Sequence, residues 1–469
     1  MPDSAAQPFS VKRAQVEFHN FASLGEPERN LQIYQEENTR RRTVLRKHRN
    51  FIGPLSPFLE IGANAGHTSY MLANEFGANG FALDISADSL RHGRVLMDAW
   101  DLKRAPIRIG GDALNLPFAD ESLRMVCTFQ TLSQFLDIEA VFREVHRVLQ
   151  PGGIFFFAEE PLLRSLSMRL YRVAYYETMK PWEKRLHNWG LLGYFVQDVI
   201  GAGQEESFGI RQNHTMGLAA WQELIEKYFA DQRYEIFVPE RGGGESVVKW
   251  LAFSRDRAAR WLGGTLAAIC RKGGTPPSST PSIRAFEKLL RCPDCHASLS
   301  RKEDDGTLSC ACGYVAPFVG EVYNLLASAD RDELYPGARA DIIDFSVPGH
   351  ESQLRGDWYE LEGVHGNMYR WISGRGDAHL KRVRPGPQRL RIRGHAFQKG
   401  VPGKIRVVVN GAELKTLEIE RTGLFVLEAD VPDADSYDIE IHASPVWEAP
   451  PDDRTFSVTL SLIRLIDRD

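Results

Sequence analysis

The chain lacks several things, and each lack narrows the field. Nowhere among its 469 residues does an apolar run approach the ~20 residues that would cross a bilayer. Met1-Pro2-Asp3-Ser4 has no basic start and leads into no apolar core of a secretory leader, so a cytoplasmic protein is expected. Basic charge is not in excess. Against 62 Asp and Glu stand 57 Lys and Arg, and a formal net charge of −5 argues against a surface built for nucleic acid. One local basic run, Arg40-Arg41-Arg42 followed by Arg46-Lys47-His48-Arg49, comes after Glu36-Glu37 in a helical pattern. It reads as a solvated helix face, with an anionic-acceptor site as the alternative. There is no repeat period and no low-complexity tract. Cysteine is scarce, six in all, and four of the six sit together between Cys292 and Cys312. That clustering in a reducing compartment speaks for a metal rather than a disulfide framework.

What is present is an alternation of strands and helices. Leu59-Glu60-Ile61 is a short apolar strand with an acid near its end, followed by Gly62-Ala63-Asn64-Ala65-Gly66 and a helix beginning near His67. Small residues at the tip of a parallel strand let a ligand rest on bare backbone. Gly80-Phe81-Ala82-Leu83-Asp84 is a second strand, ending in a carboxylate suited to two ribose hydroxyls. The third, Ile107-Arg108-Ile109-Gly110-Gly111, leads into Asp112-Ala113, and Met125–Phe129 is the fourth. An amphipathic helix with Ile138, Val141, Phe142, Val145 and Val148 runs into Pro151-Gly152-Gly153 and a fifth strand, Ile154–Ala158. Such alternation predicts an open parallel sheet with its ligand loops at the strands' carboxyl ends.

Taken in order, Glu60-x-Gly62-x-Asn64-x-Gly66, Asp84, Asp112-Ala113-x-x-Leu116-Pro117-Phe118 and Leu149-x-Pro151-Gly152-Gly153 resemble the class I S-adenosylmethionine-dependent methyltransferases. The likeness is to the branch acting on small molecules such as quinones, sterols and sugars. It covers roughly residues 55 to 160. It implies an α/β Rossmann-like fold and S-adenosylmethionine as cofactor. The cofactor-binding residues would be Glu60, Gly62, Ala63, Asn64, Gly66, Asp84, Asp112, Ala113 and Phe129. In the family the glycine loop passes under the methionine moiety, the counterpart of Asp84 holds the ribose, and that of Asp112 reaches the adenine amino group. Asn64 replaces the usual middle glycine. Asparagine tolerates positive φ better than most residues, so the loop is expected to survive, with cofactor affinity as the property at stake.

Cys292-Pro293-Asp294-Cys295 and Cys310-Ala311-Cys312, separated by fourteen residues, place four thiolates on two tight turns. Cys292, Cys295, Cys310 and Cys312 suit a closed, structural Zn²⁺ site, although the second knuckle is C-x-C where C-x-x-C is usual. Residues 286–327 resemble a small zinc-ribbon family. Its free-standing members activate methyltransferases of tRNA and translation factors, and related ribbons are fused to small-molecule and sugar methyltransferases. A ribbon with no open coordination position is a brace or a docking surface.

The remaining expectations concern organisation and substrate. Residues 1–50 form an N-terminal helical cap, and 51–255 the methyltransferase domain with a lid insertion at about 161–215. Residues 271–283 are a linker. Tyr234–Val238 and Val247–Phe253 are expected as closing antiparallel strands, and Thr215 or a neighbour as the cap of the helix before them. Methyl transfer needs mainly alignment and a dry pocket, but a hydroxyl acceptor generally needs a base. Glu160, ending strand five, and His214 are the catalytic candidates. Structural readings stand beside both: Glu160 as a helix cap, His214 as a hydrogen-bond partner. Residues 345–469, with short alternating strands, point to an all-β sandwich, jelly-roll-like. The Gly356–Gly363, Tyr369–Ile372 and Val407–Gly411 segments resemble the accessory sandwich beside bacterial surface-polysaccharide glycosyltransferases. That resemblance implies sugar stacking on Trp358, Trp371 or Trp447, against a plain core role for the same residues. The expected function is O-methylation of a sugar or glycan, free or lipid-linked, alongside other polysaccharide-assembly enzymes. A protein or RNA acceptor is the alternative, and a scaffold that keeps only the fold the third reading.

Overall fold

The computed structural model describes residues 12, 16, 27–135, 137–163, 181, 182, 185, 216–238, 254–277, 283–302, 306–335, 339–347, 349–356, 358–364 and 367–468. They fall into two compact units, divided near Leu334.

The first unit is built on a nine-stranded sheet. Helix α1 (Pro27–Lys47) and the short α2 (Arg49–Ile52) lead into β1 (Phe58–Ile61), α3 (His67–Glu75) and β2 (Gly80–Asp84). Then come β3 (Ile107–Gly110), β4 (Leu123–Phe129), α4 (Ile138–Val148) and β5 (Leu149–Leu162). Helix α5 (Leu218–Tyr228) precedes β6 (Asp231–Phe237) and β7 (Gly264–Arg271). From β3 outward the strand order is β3-β2-β1-β4-β5-β7-β6, with β1 to β5 parallel and β7 antiparallel to both neighbours.

The apolar runs of these strands are explained by burial on both faces. Phe155 and Phe157 of β5 join Val141, Phe142 and Val145 of α4 and Trp221 and Ile225 of α5 on one side. Ile154 and Phe156 pack on the other with Met71 and Leu72 of α3 and with Val44, Leu45 and Ile52. Asp137 caps α4, its Oδ1 accepting the Ala140 N–H at 2.9 Å, so the helix starts where the sequence pattern placed it.

Two boundaries differ from expectation. The partner of β6 is β7, beyond the expected domain end at 255; Val247–Phe253 and Thr215 lie outside the described residues, and Gly217 stands at the start of α5 with no side-chain cap. The cysteine-bearing segment shares the main sheet. Its strands are β8 (Ser300–Arg301), β9 (Leu308–Ser309), β10 (Val315–Ala316), β11 (Phe318–Val319) and β12 (Val322–Asn324). The first three make a small antiparallel sheet, but β12 pairs in parallel with β3, Tyr323 opposite Ile109. Leu289, Leu290, Leu308, Tyr314 and Leu325 sit in the same apolar cluster as Phe81 and Phe118. This cysteine-bearing segment has little core of its own and borrows one.

The second unit is an antiparallel sandwich. Its strands are β13 (Ile342–Asp344), β14 (Leu354–Arg355), β15 (Trp358–Val364), β16 (Asn367–Ile372), β17 (Arg375–Lys381), β18 (Gln388–Ala396), β19 (Gly403–Val409), β20 (Ala412–Ile419), β21 (Gly423–Asp430), β22 (Ser436–Ser444), β23 (Trp447–Ala449), β24 (Asp452–Phe456) and β25 (Val458–Asp467). One sheet runs β15-β16-β25-β18-β21 with β13 also on β25, the other β14-β17-β22-β19-β20. Between them lie Ile392, Ile405, Phe425, Ile441 and Ile463. Ile342–Asp344, just ahead of the expected start of the sandwich at 345, pairs with β25, and Ile343 joins the sandwich core.

Candidate active site

At the carboxyl ends of β1 to β4 the described residues form a narrow cleft. Gly62, Asp84, Asp112 and Ala113 line it, together with Thr131 and Phe135. The loop after β1 is held open by three left-handed residues, Gly62 (φ 67°), Asn64 (φ 52°) and Gly66 (φ 83°). A Cβ at Gly62 would lie 2.4 Å from Thr131 Oγ1, so this glycine is required twice over, by φ and by space. Asn64 adopts the left-handed backbone, and its N–H donates to Asp84 Oδ2 at 2.8 Å. The other oxygen of Asp84 accepts the Ser86 N–H at 2.9 Å. The carboxylate is thereby fixed at the strand tip with its remaining lone pairs toward the cleft.

Other expected residues are placed differently. Glu60 lies beneath the loop rather than in the cleft, its Oε2 accepting the Ser69 N–H at 2.8 Å and the Ser69 hydroxyl at 2.5 Å. It fastens α3 to β1, and burial pushes its carboxyl above the ordinary range. Ala63 continues the turn, donating its N–H to the Leu83 carbonyl at 3.0 Å. Phe129 is buried under the Arg41 guanidinium, 4.3 Å from the ring centroid. Asp112 borders the cleft but is ion-paired, its Oδ2 lying 2.8 Å from Lys12 Nζ, which also reaches Asp330 at 2.7 Å.

Glu160 has a structural task. It is fully buried and accepts the N–H groups of Thr131, Leu132 and Ser133 at 2.9, 2.9 and 3.0 Å. In this placement it clamps the turn after β4, as the structural reading expected. Burial pushes its carboxyl up to about 7 against the pull of the three donors. His214 lies outside the described residues, as does most of the expected lid.

The sequence reading missed a buried charged network above the glycine loop. Arg41, expected on a solvated face, has a side chain only 4% exposed. Its Nη1 lies 2.7 Å from Thr68 Oγ1 and 2.6 Å from His67 Nε2, and its Nη2 donates to Glu159 at 2.7 Å and Glu37 at 3.2 Å. His67 Nε2 is 2.8 Å from Glu37, the ring stacks on Tyr34 at 4.2 Å, and Nδ1 has no hydrogen-bond partner. Burial raises the Glu37 carboxyl, but its contacts with His67 and Arg41 outweigh that and hold it below its usual value. The Glu37, Arg41 pair at i, i+4 was the available signal. Residues 40–49 are otherwise divided: Arg46 and Lys47 are exposed, as expected.

The four cysteines converge. Their Sγ atoms all lie within 4.8 Å of one another, with Cys292–Cys312 at 3.7 Å and Cys295–Cys310 at 3.4 Å. A tetrahedral S₄ zinc site with ~2.3 Å bonds needs sulfurs about 3.8 Å apart, so the residues fit such an ion despite the shortened second knuckle.

Residues 59–157 match the family described as "Methyltransferase domain". The match supports a class I methyltransferase reading of this segment. Relatives include the demethylmenaquinone methyltransferase of Listeria welshimeri, 36% identical over 97 residues, or 20% of this chain and 41% of that protein. Norajmaline N-methyltransferase of Rauvolfia serpentina is 28% identical over 131 residues, 27% of this chain and 41% of that one. The chain thus spans about two fifths of the length of these curated relatives. A phosphoethanolamine N-methyltransferase of Haemonchus contortus, solved with S-adenosyl-L-methionine, covers 56% of this chain and 57% of its own at 17% identity and a TM-score of 0.31. The matched segment contains every residue that lines the cleft, Gly62, Asp84, Asp112 and Thr131 among them.

Proposed function

We propose that the chain transfers a methyl group from S-adenosylmethionine to a hydroxyl of a sugar or glycan, free or lipid-linked, in surface-polysaccharide assembly. The observation that carries the methyl-transfer part is the Asn64–Asp84 clamp, which holds a carboxylate at a cleft that Gly62 of the glycine loop also lines. Ribose hydroxyls would bond Asp84, and the methionine end would lie over Gly62 and Gly66. The cofactor supplies an electrophilic methyl group; the chain supplies alignment and exclusion of water. His214 and Glu160 are the candidate bases for a hydroxyl acceptor, with Glu160 held by the Thr131, Leu132 and Ser133 N–H groups.

The acceptor class is supported by the second unit. Trp358 is core there: its indole N–H donates to the Arg355 and Asp377 carbonyls at 3.0 and 2.8 Å. Trp371 is buried against Phe397, Phe456 and Trp447. Trp447 stays half-exposed at the edge of this aromatic cluster, with Phe456 against its ring and Lys399 Nζ over it at 5.5 Å, and is the tryptophan of the three that a sugar could approach. A protein or RNA acceptor is the second reading, favoured by the ribbon and disfavoured by the net acidity.

The test is transfer of label from S-adenosylmethionine into fractionated lysate of a host lacking the gene. Label in the polysaccharide or lipid-linked sugar fraction supports the reading. Label in protein or RNA overturns the acceptor, and loss of cofactor binding in both parent and Asp84→Ala chains overturns methyl transfer itself.

A further inference from the structure

We propose that the groove between α1 and α3 binds a neutral saccharide unit. It holds about 370 Å³, inside the ~300–1,000 Å³ range of small-molecule sites. One face of α1 contributes Gln35, Asn38 and Arg42, and α3 contributes Asn74 and Glu75 at successive helical spacings. Trp100 and Leu102, from the connection between β2 and β3, close the third side. That side is tied to α3 by Asn74: its Oδ1 accepts the Lys103 and Arg104 N–H groups at 3.0 and 3.1 Å, and its Nδ2 donates to the Arg104 carbonyl at 2.8 Å. The groove is therefore formed before any ligand arrives.

The walls select the chemistry. Met71, Leu102 and the half-buried Trp100 make an apolar, aromatic side that suits the C–H face of a pyranose ring. Charge in the lining is balanced: Arg42 pairs with Glu75, and Glu75 also faces Arg46 at 3.7 Å, so neither an anion nor a cation finds an uncommitted partner there. Two atoms of the α1 wall are left over. Asn38 is 5% exposed and donates from Nδ2 to the His67 carbonyl at 3.1 Å, but its Oδ1 has no hydrogen-bond partner among the described residues. Arg42 Nε, one helical turn on, has none either. An orphan acceptor beside an orphan donor is costly, and a hydroxyl, which donates and accepts from one oxygen, answers both. The exposed Gln35 amide at the rim offers a donor and an acceptor to further hydroxyls. Asn74 lies eight residues beyond Gly66, about 12 Å along α3, so the bound unit meets no transferred methyl group. As a holding site for a second unit of the acceptor the groove rests on the glycan reading above; as a saccharide site it stands without it.

The test is calorimetry and saturation-transfer NMR on the full chain without cofactor. The probes are the methyl glycosides of glucose, galactose, mannose and N-acetylglucosamine, with glucuronate as the charged comparator. The expected result is saturable binding of at least one neutral glycoside, tighter than that of glucuronate. Trp100→Leu should weaken it by about tenfold or more, and Gln35→Ala, a change at an exposed side chain, by a few-fold. Trp447→Leu should leave it unchanged, which separates the groove from the sandwich. No binding of any neutral glycoside at millimolar concentration, a preference for glucuronate, or binding that survives both groove variants overturns the proposal. Each of those results leaves methyl transfer standing, because that reading is tested by label from S-adenosylmethionine and by Asp84→Ala.

Discussion

Removing the metal from the cysteine cluster is expected to weaken binding of S-adenosylhomocysteine, although no cysteine lines the cleft. The connection runs through the loop that follows β3. Asp112 opens that loop, and the ribbon holds its far side. Asn115 Nδ2 donates to the Pro293 carbonyl, between two of the cysteines, at 2.9 Å, and the Arg291 N–H donates to the Pro117 carbonyl at 3.1 Å. The Ala119 N–H reaches the Leu289 carbonyl at 2.8 Å, and the Leu325 N–H reaches the Gly110 carbonyl at 2.7 Å. A ribbon with no independent core loses its turns when the metal leaves, because the ion supplies much of its folding free energy. The bonds at Asn115 and Pro117 bear directly on the Asp112 loop. At about 1 kcal/mol net each, their loss releases about 2 kcal/mol of preorganisation, equivalent to roughly thirtyfold in Kd. Calorimetry with S-adenosylhomocysteine on metal-loaded and chelated protein, with metal content measured on both, reads this directly. Asn115→Ala, which keeps the cluster, should cost a few-fold. An unchanged Kd in protein shown to be metal-free would refute the coupling.

Three further outcomes are expected. Gly62→Ala should abolish cofactor binding and destabilise the chain by about 1–3 kcal/mol, from the clash with Thr131 and the left-handed backbone, as read by calorimetry and urea unfolding. Asp84→Asn should weaken S-adenosylhomocysteine by about tenfold to a hundredfold while leaving the fold intact, the range for losing charge-assisted hydrogen bonds. Glu160 has a folded pKa raised to about 7, so the folded state binds its proton more tightly than the unfolded chain. Its contribution is fully present below about pH 4.5 and is lost as pH rises toward 7, a fall of about 3 kcal/mol. Glu160→Gln should flatten that part of the stability profile, and a parent profile that rises over the same window would contradict the assignment.

Legibility followed physical range. The strand-loop-helix pattern at 59–75 could be read because its cause is local: apolar alternation, small residues and a positive-φ turn within a few positions. The sandwich strands were legible for the same reason, as the alternating buried positions of β19 and β22 show. Glu160 carried two readings because a carboxylate at a strand end looks alike whether it faces a substrate or three backbone N–H groups. Arg41 was misjudged because a charge-rich helix has no one-dimensional sign for which arginine turns inward.

What the sequence determined by itself was the methyltransferase motif order, the cysteine spacing and the change to β character near the C-terminus, all set by neighbours along the chain. Tertiary structure alone decided that β12 would pair with β3 across more than two hundred residues, and that Arg41 would be buried between Glu37 and Glu159. Those outcomes depend on which surfaces are left over once the sheet has formed. Hydrophobic burial and unpaired strand edges then select partners by proximity in space, a quantity that spacing along the sequence does not carry.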